Sequence, residues 1–313
     1  MTDKLLRSIG IGALMSLLPV VALAQEAPAQ DAPGHPMPGQ IGLQPSVTPI
    51  MDSITVFHDG ILLWTAVLIA LLVAVLLGIV LLRFNAKANP KPSTTTHNTL
   101  VEVVWTVVPI IVLVIIAVPS FGVLTDQLTI PDGERKYLGS NIFSFGEVEV
   151  PAPEVTVKAI GQQWNWDYEY VEYKGEAPEE PLVFNSSMLQ EDEREALKPN
   201  QPRLLAVNNE LVVPVETTVR VQVTADPLGV IHAFAVPSFG IKIDAVPGKL
   251  NETWFYARKT GIYYGQCSEL CGQDHAFMPI AVRVVEKEEF DLWLQTLQQG
   301  FIEDANATLA PIT

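Results

Sequence analysis

Tyr264-Gly265-Gln266-Cys267-Ser268-Glu269-Leu270-Cys271-Gly272-Gln273-Asp274-His275-Ala276-Phe277-Met278 is the stretch around which the chain is organised. It contains the only two cysteines of the 313-residue sequence, Cys267 and Cys271, with a histidine and a methionine close behind them. Thiolate, imidazole and thioether together are the donors that copper favours in an electron-transfer site. A mononuclear blue-copper loop has one thiolate, two imidazoles and a weak axial thioether. A second cysteine one loop-turn away therefore suggests two metals bridged by two sulfurs. Such ligands come from separate loops and need rigid sheets to hold them.

The flanking sequence supplies those sheets. After Gly122 short alternating runs appear: Val155–Lys158, Leu204–Val207, Leu211–Pro214, Val219–Val223, Thr253–Tyr256, Ile262–Tyr264 and Ile280–Val284. Many short strands broken by Gly, Pro and Asn predict an antiparallel sandwich or barrel, and a Greek-key cupredoxin-like domain is the natural choice. Lys287–Gln299 has apolar residues at helical spacing with Gly300 behind it, which predicts a short C-terminal helix on the sandwich.

The first half of the chain reads differently. Ile61–Leu82 carries no charge and is long enough to span a hydrocarbon core, and a second span runs from about Leu100 to Gly122, with kinks expected at Pro109 and Pro119. Between them Arg83, Lys87 and Lys91 form a basic loop with no acid before Glu102, which places that loop on the cytoplasmic side. Met1–Ala24 has Lys4 and Arg7, a short apolar core and Ala22-Leu23-Ala24, and reads as a secretory signal peptide. The expected organisation is thus a signal peptide at 1–24, an extended periplasmic segment at 25–54 with His35 solvated, a transmembrane helical hairpin at 55–122, and a periplasmic copper domain at 123–313. Hydrophobic residues make up 49% of the sequence, and the mean hydropathy of +0.27 agrees with a membrane protein. A net charge of −16 argues against a nucleic-acid partner and for basic ones. In an oxidising compartment a Cys267–Cys271 disulfide stays open as the plain alternative.

The loop resembles, position by position, the CuA loop of the cytochrome c oxidase subunit II family, G-Q-C-S-E-L-C-G-x-x-H-x-x-M. The resemblance extends to the two apolar spans, to Thr96-His97-Asn98 with Glu102 and Trp105-Thr106, to Gln163-Trp164-Asn165-Trp166, and to Val230-Ile231-His232 leading to Pro247-Gly248. It implies a binuclear copper centre held by Cys267, Cys271, His275, Met278 and His232, with His232 ending an apolar strand and the main-chain carbonyl of Glu269 as the weak axial ligand of one copper. It also implies that the Glu269 side chain shares a magnesium or manganese ion with subunit I. By position alone Glu102 is either an interfacial acid or part of a proton path, and the resemblance implies a proton-pathway entrance. Trp164 matches the surface aromatic that receives the electron. The acids around Glu169, with Glu172, Glu176, Glu179 and Glu180, would steer a basic cytochrome c. The chain departs from the family at Asn165, Asn185 and Gly229, where Asp226 stands in from a longer loop, and in an insertion at Glu176–Glu180. These changes bear on the docking footprint and leave the copper ligands untouched.

The function this implies is that of subunit II of a cytochrome c oxidase in a bacterial inner membrane. It would take electrons from cytochrome c and pass them to haem in subunit I, where oxygen is reduced with proton translocation, with subunit III and membrane lipid as further partners. The alternative is a membrane-anchored mononuclear cupredoxin shuttle, which leaves the second cysteine without a role. A quinol-oxidase subunit would lack the copper ligands.

Overall fold

In the computed structural model, which describes residues 34–134, 136–137 and 148–311, the two charge-poor stretches are helical and the regular structure beyond them is mainly strand. The expected signal peptide lies outside the described residues. Helix α1 (Pro49–Phe57) passes through a π-helical turn (His58–Leu62) into α2 (Leu63–Arg83). Helix α2 has no buried residue, as expected for a segment apolar on every side. It stops after Arg83, where Asn85 donates to the carbonyls of Leu81 and Leu82 and accepts from the amides of Lys87 and Ala88. Helix α3 (Thr99–Leu128) starts at Asn98, whose side chain accepts from Val101 N. Both α1 to α2 and α3 are long and apolar enough to cross a membrane. Pro109 and Pro119 lie inside α3, which runs to Leu128, beyond the expected end at Gly122.

A short ribbon of β1 (Lys136–Tyr137) and β2 (Val148–Glu149) precedes the main domain. That domain comprises β3 (Val155–Gln162), β4 (Asn165–Tyr173), β5 (Leu182–Ser186), α4 (Glu191–Leu197), β6 (Leu211–Pro214), β7 (Thr218–Ala225), β8 (His232–Val236), β9 (Ile241–Ala245), β10 (Asn251–Tyr256), β11 (Gly261–Gln266), β12 (Pro279–Val285), α5 (Lys287–Gln299) and α6 (Ile302–Asn306). The strands form a five-stranded sheet in the order β10-β7-β3-β4-β5, a three-stranded sheet in the order β11-β12-β6, and the hairpin β8-β9. Pairing is antiparallel except for β3 with β7 and β6 with β12. Parallel neighbours require crossover connections, here made as the chain switches between sheets.

Period-two alternation builds the core. Val155, Val157 and Ala159 of β3, Trp166, Tyr168 and Tyr170 of β4, and Val219, Val221 and Val223 of β7 all point inward, against the wholly buried β6 and β8. Helix α5 buries Phe290, Trp293, Leu294 and Leu297, one face at helical spacing, and Trp293 lies 5.3 Å from Tyr170.

Three expectations from the sequence change. Leu204–Val207 is a turn, in which Leu204 has φ 67° and Val207 makes only an isolated bridge with Met188. Strand β4 is hidden in the sequence because acids occupy its outward positions. The segment expected to stay extended through residue 54 turns helical at Pro49 and is anchored on the sheets. His35 is half-buried, its ring tilted against that of Tyr264 with the centroids 6.1 Å apart. Gly34 O accepts from Tyr264 N, Val47 O accepts from Arg258 N, and Asp52 pairs with Arg258 at 2.8 Å. Thr48, fully buried, accepts from Met51 N and donates to Phe239 O at 2.7 Å. From the side of α3, Asp126 O accepts from Trp254 Nε1 and Gln127 O from Thr253. Thr48→Val removes a helix cap and strands a buried carbonyl, so it is expected to cost about 2 kcal/mol. In a domain of this size that is a fall in Tm of about 4–8 °C by calorimetry of the purified protein; an unchanged Tm would show the anchor to be dispensable.

Candidate metal centre

Two segments far apart in sequence meet at the top of the sandwich. His232 is the first residue of β8, not the last of an apolar strand: Val230 and Ile231 before it are exposed, and the buried run lies after it. Its ring lies against β3 at Gly161, where a Cβ would come within 2.8 Å of the imidazole, so only glycine fits. The ring of Trp166 packs edge-to-face with the imidazole, centroids 6.1 Å apart. Burial, and then the nearby His275, lowers the pKa of His232 and keeps the ring in the neutral form that can bind a metal. Nε2 is buried without a hydrogen-bond partner among the described residues, and Nδ1 lies 3.8 Å from Cys267 Sγ.

The second segment is the loop from Cys267 to Met278 between β11 and β12. Cys267 and Cys271 are both buried and free, with their sulfurs 3.9 Å apart, well beyond a disulfide bond length. Cys267 Sγ lies 3.3 Å from the carbonyl of Glu269. Cys271 Sγ lies 3.5 Å from His275 Nδ1 and 3.5 Å from Met278 Sδ. The ligand atoms of His232, Cys267 and Cys271 all fall within 4.8 Å of one another; His275 and Met278 join this group through Cys271. Each sulfur thus has its own imidazole, an arrangement with two halves.

The donor set fits copper. Burial, with Cys267 as the next contributor, pushes the Cys271 thiol up to about 12. Two adjacent buried thiols ionise together only beside a compensating cation, and a bound metal deprotonates a coordinating thiol outright.

The loop is fastened to the turn between β3 and β4. Gln163 Nε2 donates to Cys271 O at 3.0 Å, Trp164 Nε1 donates to the same carbonyl at 3.2 Å, and Trp166 Nε1 donates to Met278 O at 3.4 Å. Of these three donors the sequence singles out Trp164 alone. The pairing of three N–H side chains with a loop of poor secondary structure is the signal that would have found the other two. Trp164 is half-buried and lines a groove of about 580 Å³ together with Phe277, Asp274, Arg203 and residues 187–191.

The remaining candidates lie elsewhere. The carboxylate of Glu269 belongs to an exposed residue at the rim of the loop. Glu102 is on the first turn of α3, where its carboxylate accepts from Asn98 N. Glu169 on β4 pairs with its cross-strand neighbour Lys158 at 3.2 Å, so its charge is locally balanced. Asp226 caps the turn before His232 by accepting from Leu228 N at 2.8 Å. Glu172, Glu176, Glu179 and Glu180 are exposed.

Two family models match the chain, described as "Cytochrome C oxidase subunit II, transmembrane domain" over residues 36–123 and "Cytochrome C oxidase subunit II, periplasmic domain" over residues 155–285. A Rickettsia bellii protein named "Probable cytochrome c oxidase subunit 2" is 46% identical over 88% of this chain and 91% of its own length. "Cytochrome c oxidase subunit 2" of Cyanidium caldarium is 41% identical over 82% of this chain and 91% of its own length. Among solved structures, the periplasmic domain of subunit II of cytochrome oxidase from Bradyrhizobium japonicum is 55% identical, covering 48% of this chain and 97% of that one, with a TM-score of 0.41.

Proposed function

Because the chain belongs to the cytochrome c oxidase subunit II family, we propose that it takes electrons from a soluble cytochrome c at a binuclear copper centre and passes them to haem in subunit I. The observation that carries this reading is the convergence of two buried free thiols, each with an imidazole beside it. Two copper ions held by Cys267, Cys271, His232, His275, Met278 and the carbonyl of Glu269 would supply a one-electron acceptor and donor at a single place.

The chain's own residues prepare that place. Buried walls exclude water from both sulfurs and from His232, which keeps the surroundings alike in both oxidation states. Trp164 gives a hydrogen-bonded route from the protein surface to the main chain of Cys271, which supports its role as the receiving aromatic. The exposed acids of the β4–β5 connection and of α4 would attract a basic donor and speed its association at low salt. With Glu169 neutralised by Lys158, the steering falls to those more exposed acids and to Asp226. The exposed side chain of Glu269 would contribute a hard oxygen to a magnesium or manganese ion completed by subunit I.

Glu102, at the positive end of α3, would mark a proton-pathway entrance on the opposite side of the membrane. The same reading places the sheet domain in the periplasm of a bacterial inner membrane, with residues 1–24 removed as a signal peptide and subunit III in the assembly. Reduction of oxygen belongs to subunit I.

The test is copper analysis and electron paramagnetic resonance on the purified oxidase complex, then ferrocytochrome c oxidation. Two coppers in this chain, with hyperfine splitting shared between two equivalent nuclei, are expected. Splitting from one copper would favour a mononuclear shuttle, and a metal-free disulfide would overturn the reading.

A further inference from the structure

We infer that Gln163 is a positioning residue of the metal centre, its side-chain amide fixing the main chain of Cys271 and through it the sulfur that faces His275 and Met278. The inference rests on the copper reading of the site and concerns a residue that makes no contact with the metal ligands' donor atoms.

The loop from Cys267 to Met278 has little means of holding its own shape. Its regular structure is one 3-10 turn (His275–Phe277), and its main-chain bonds are Ser268 N to Ala233 O at 3.3 Å, His275 N to Gly272 O at 3.4 Å and Phe277 N to Asp274 O at 2.9 Å. None of these involves Cys271. The Cys271 carbonyl is held from outside by two donors, Gln163 Nε2 and Trp164 Nε1, which use both of its lone pairs. Both donors stand on the turn of a long antiparallel pair whose register, Gln162 to Asn165, is closed right up to the turn. The rigidity of β3 and β4 is thus passed to a ligand residue of the loop.

The two donors do different work. Trp164 also offers its ring at the surface, so its loss would disturb more than one property. Gln163 is exposed apart from its amide contact, so its removal changes the fastening and little else. Partners that orient ligand residues in this way carry about 10–100-fold of metal affinity.

The test uses the intact oxidase with Gln163→Leu, which removes the donor at similar volume, and Gln163→Glu, which sets an acceptor against the carbonyl. Copper retention against a competing chelator is read beside the paramagnetic resonance spectrum, the KM for cytochrome c with its salt dependence, and the melting of the copper-free protein. Both variants should lose copper at about tenfold lower chelator concentration than the parent, with an altered hyperfine pattern and unchanged copper-free melting; Gln163→Leu should also leave KM and its salt dependence unchanged, whereas Gln163→Glu adds an acid beside Trp164 and shifts both. Unaltered retention and spectrum overturn the inference, whether or not KM rises; a KM raised in Gln163→Leu would make Gln163 a docking residue. A parent that fails to bind two coppers would instead remove the reading on which the inference stands.

Discussion

Replacing Cys271 by serine is expected to empty the centre of at least one copper and to reduce cytochrome c oxidation by more than the ~10–100-fold that even an outer-shell change costs. The reason lies in the position of this sulfur. It is the atom nearest to three other donors, 3.9 Å from Cys267 Sγ and 3.5 Å from each of His275 Nδ1 and Met278 Sδ. A serine oxygen is a hard ligand that stays protonated near neutral pH, so it would not replace the thiolate toward a soft metal, and His275 and Met278 would lose the sulfur that stands between them. The fold should hardly notice. Serine is slightly smaller, and trading a buried thiol for a hydroxyl beside polar donors costs about 1 kcal/mol. The Tm of the copper-free variant should therefore stay within about 4 °C of the parent, while copper analysis and resonance spectra change completely. Cys267→Ser should do the same from the other half, stranding His232. If either variant kept two coppers, the thiolates would not be bridging ligands.

How far the site can be read in advance depends on where its parts lie. Cys267, Cys271, His275 and Met278 share one loop, so spacing alone brings them together. His232 has to be chosen from another part of the chain, where the family resemblance and not its apolar neighbours singles it out, and those neighbours suggest the wrong strand direction. Val230 and Ile231 are exposed, and the buried run is His232–Val236. Side-chain identity marks what is apolar, but only the packed sheet decides which side of a histidine is inside.

The same separation of local from distant information explains the fold. Strands β6, β7 and β12 and helix α5 carry their pattern within themselves, and so do the charge-free helices. Strand β4 alternates Trp166, Tyr168 and Tyr170 with Asp167 and Glu169, and its acids draw attention to surface charge rather than to the aromatic face behind them. Leu204–Val207 has the composition of a strand, yet Leu204 adopts a left-handed conformation between Pro202 and the Asn208-Asn209 turn. The anchoring of residues 34–52 depends on partners such as Phe239, Arg258 and Tyr264, about two hundred positions away. No periodicity within the segment reports them.

Gly265→Ala is expected to damage fold and metal centre together. Gly265 lies in β11, opposite Ile280 of β12, and its free face meets β8. A Cβ there would come within 1.9 Å of Ala235 O, 2.9 Å of Ala235 C and 3.2 Å of Val236 Cα. All three are main-chain atoms of a buried strand, so no side chain can swing away, and the two strands must separate. Overpacking of this kind costs about 1–3 kcal/mol, and a backbone obstacle places it at the upper end. A loss near 3 kcal/mol corresponds to a fall in Tm of about 6–12 °C for a domain of this size. The same movement reaches the site, because β8 begins with His232 and β11 runs directly into Cys267. Forcing these strands apart lengthens the 3.8 Å approach of His232 Nδ1 to Cys267 Sγ, so the half of the centre that uses His232 should lose copper first. Gly42→Ala is the control, since a Cβ there meets no atom within 4 Å. Calorimetry and copper analysis of the two variants decide the matter. A Gly265→Ala protein with parental Tm and full copper would mean that the close contact between β8 and β11 does not set the geometry of the centre.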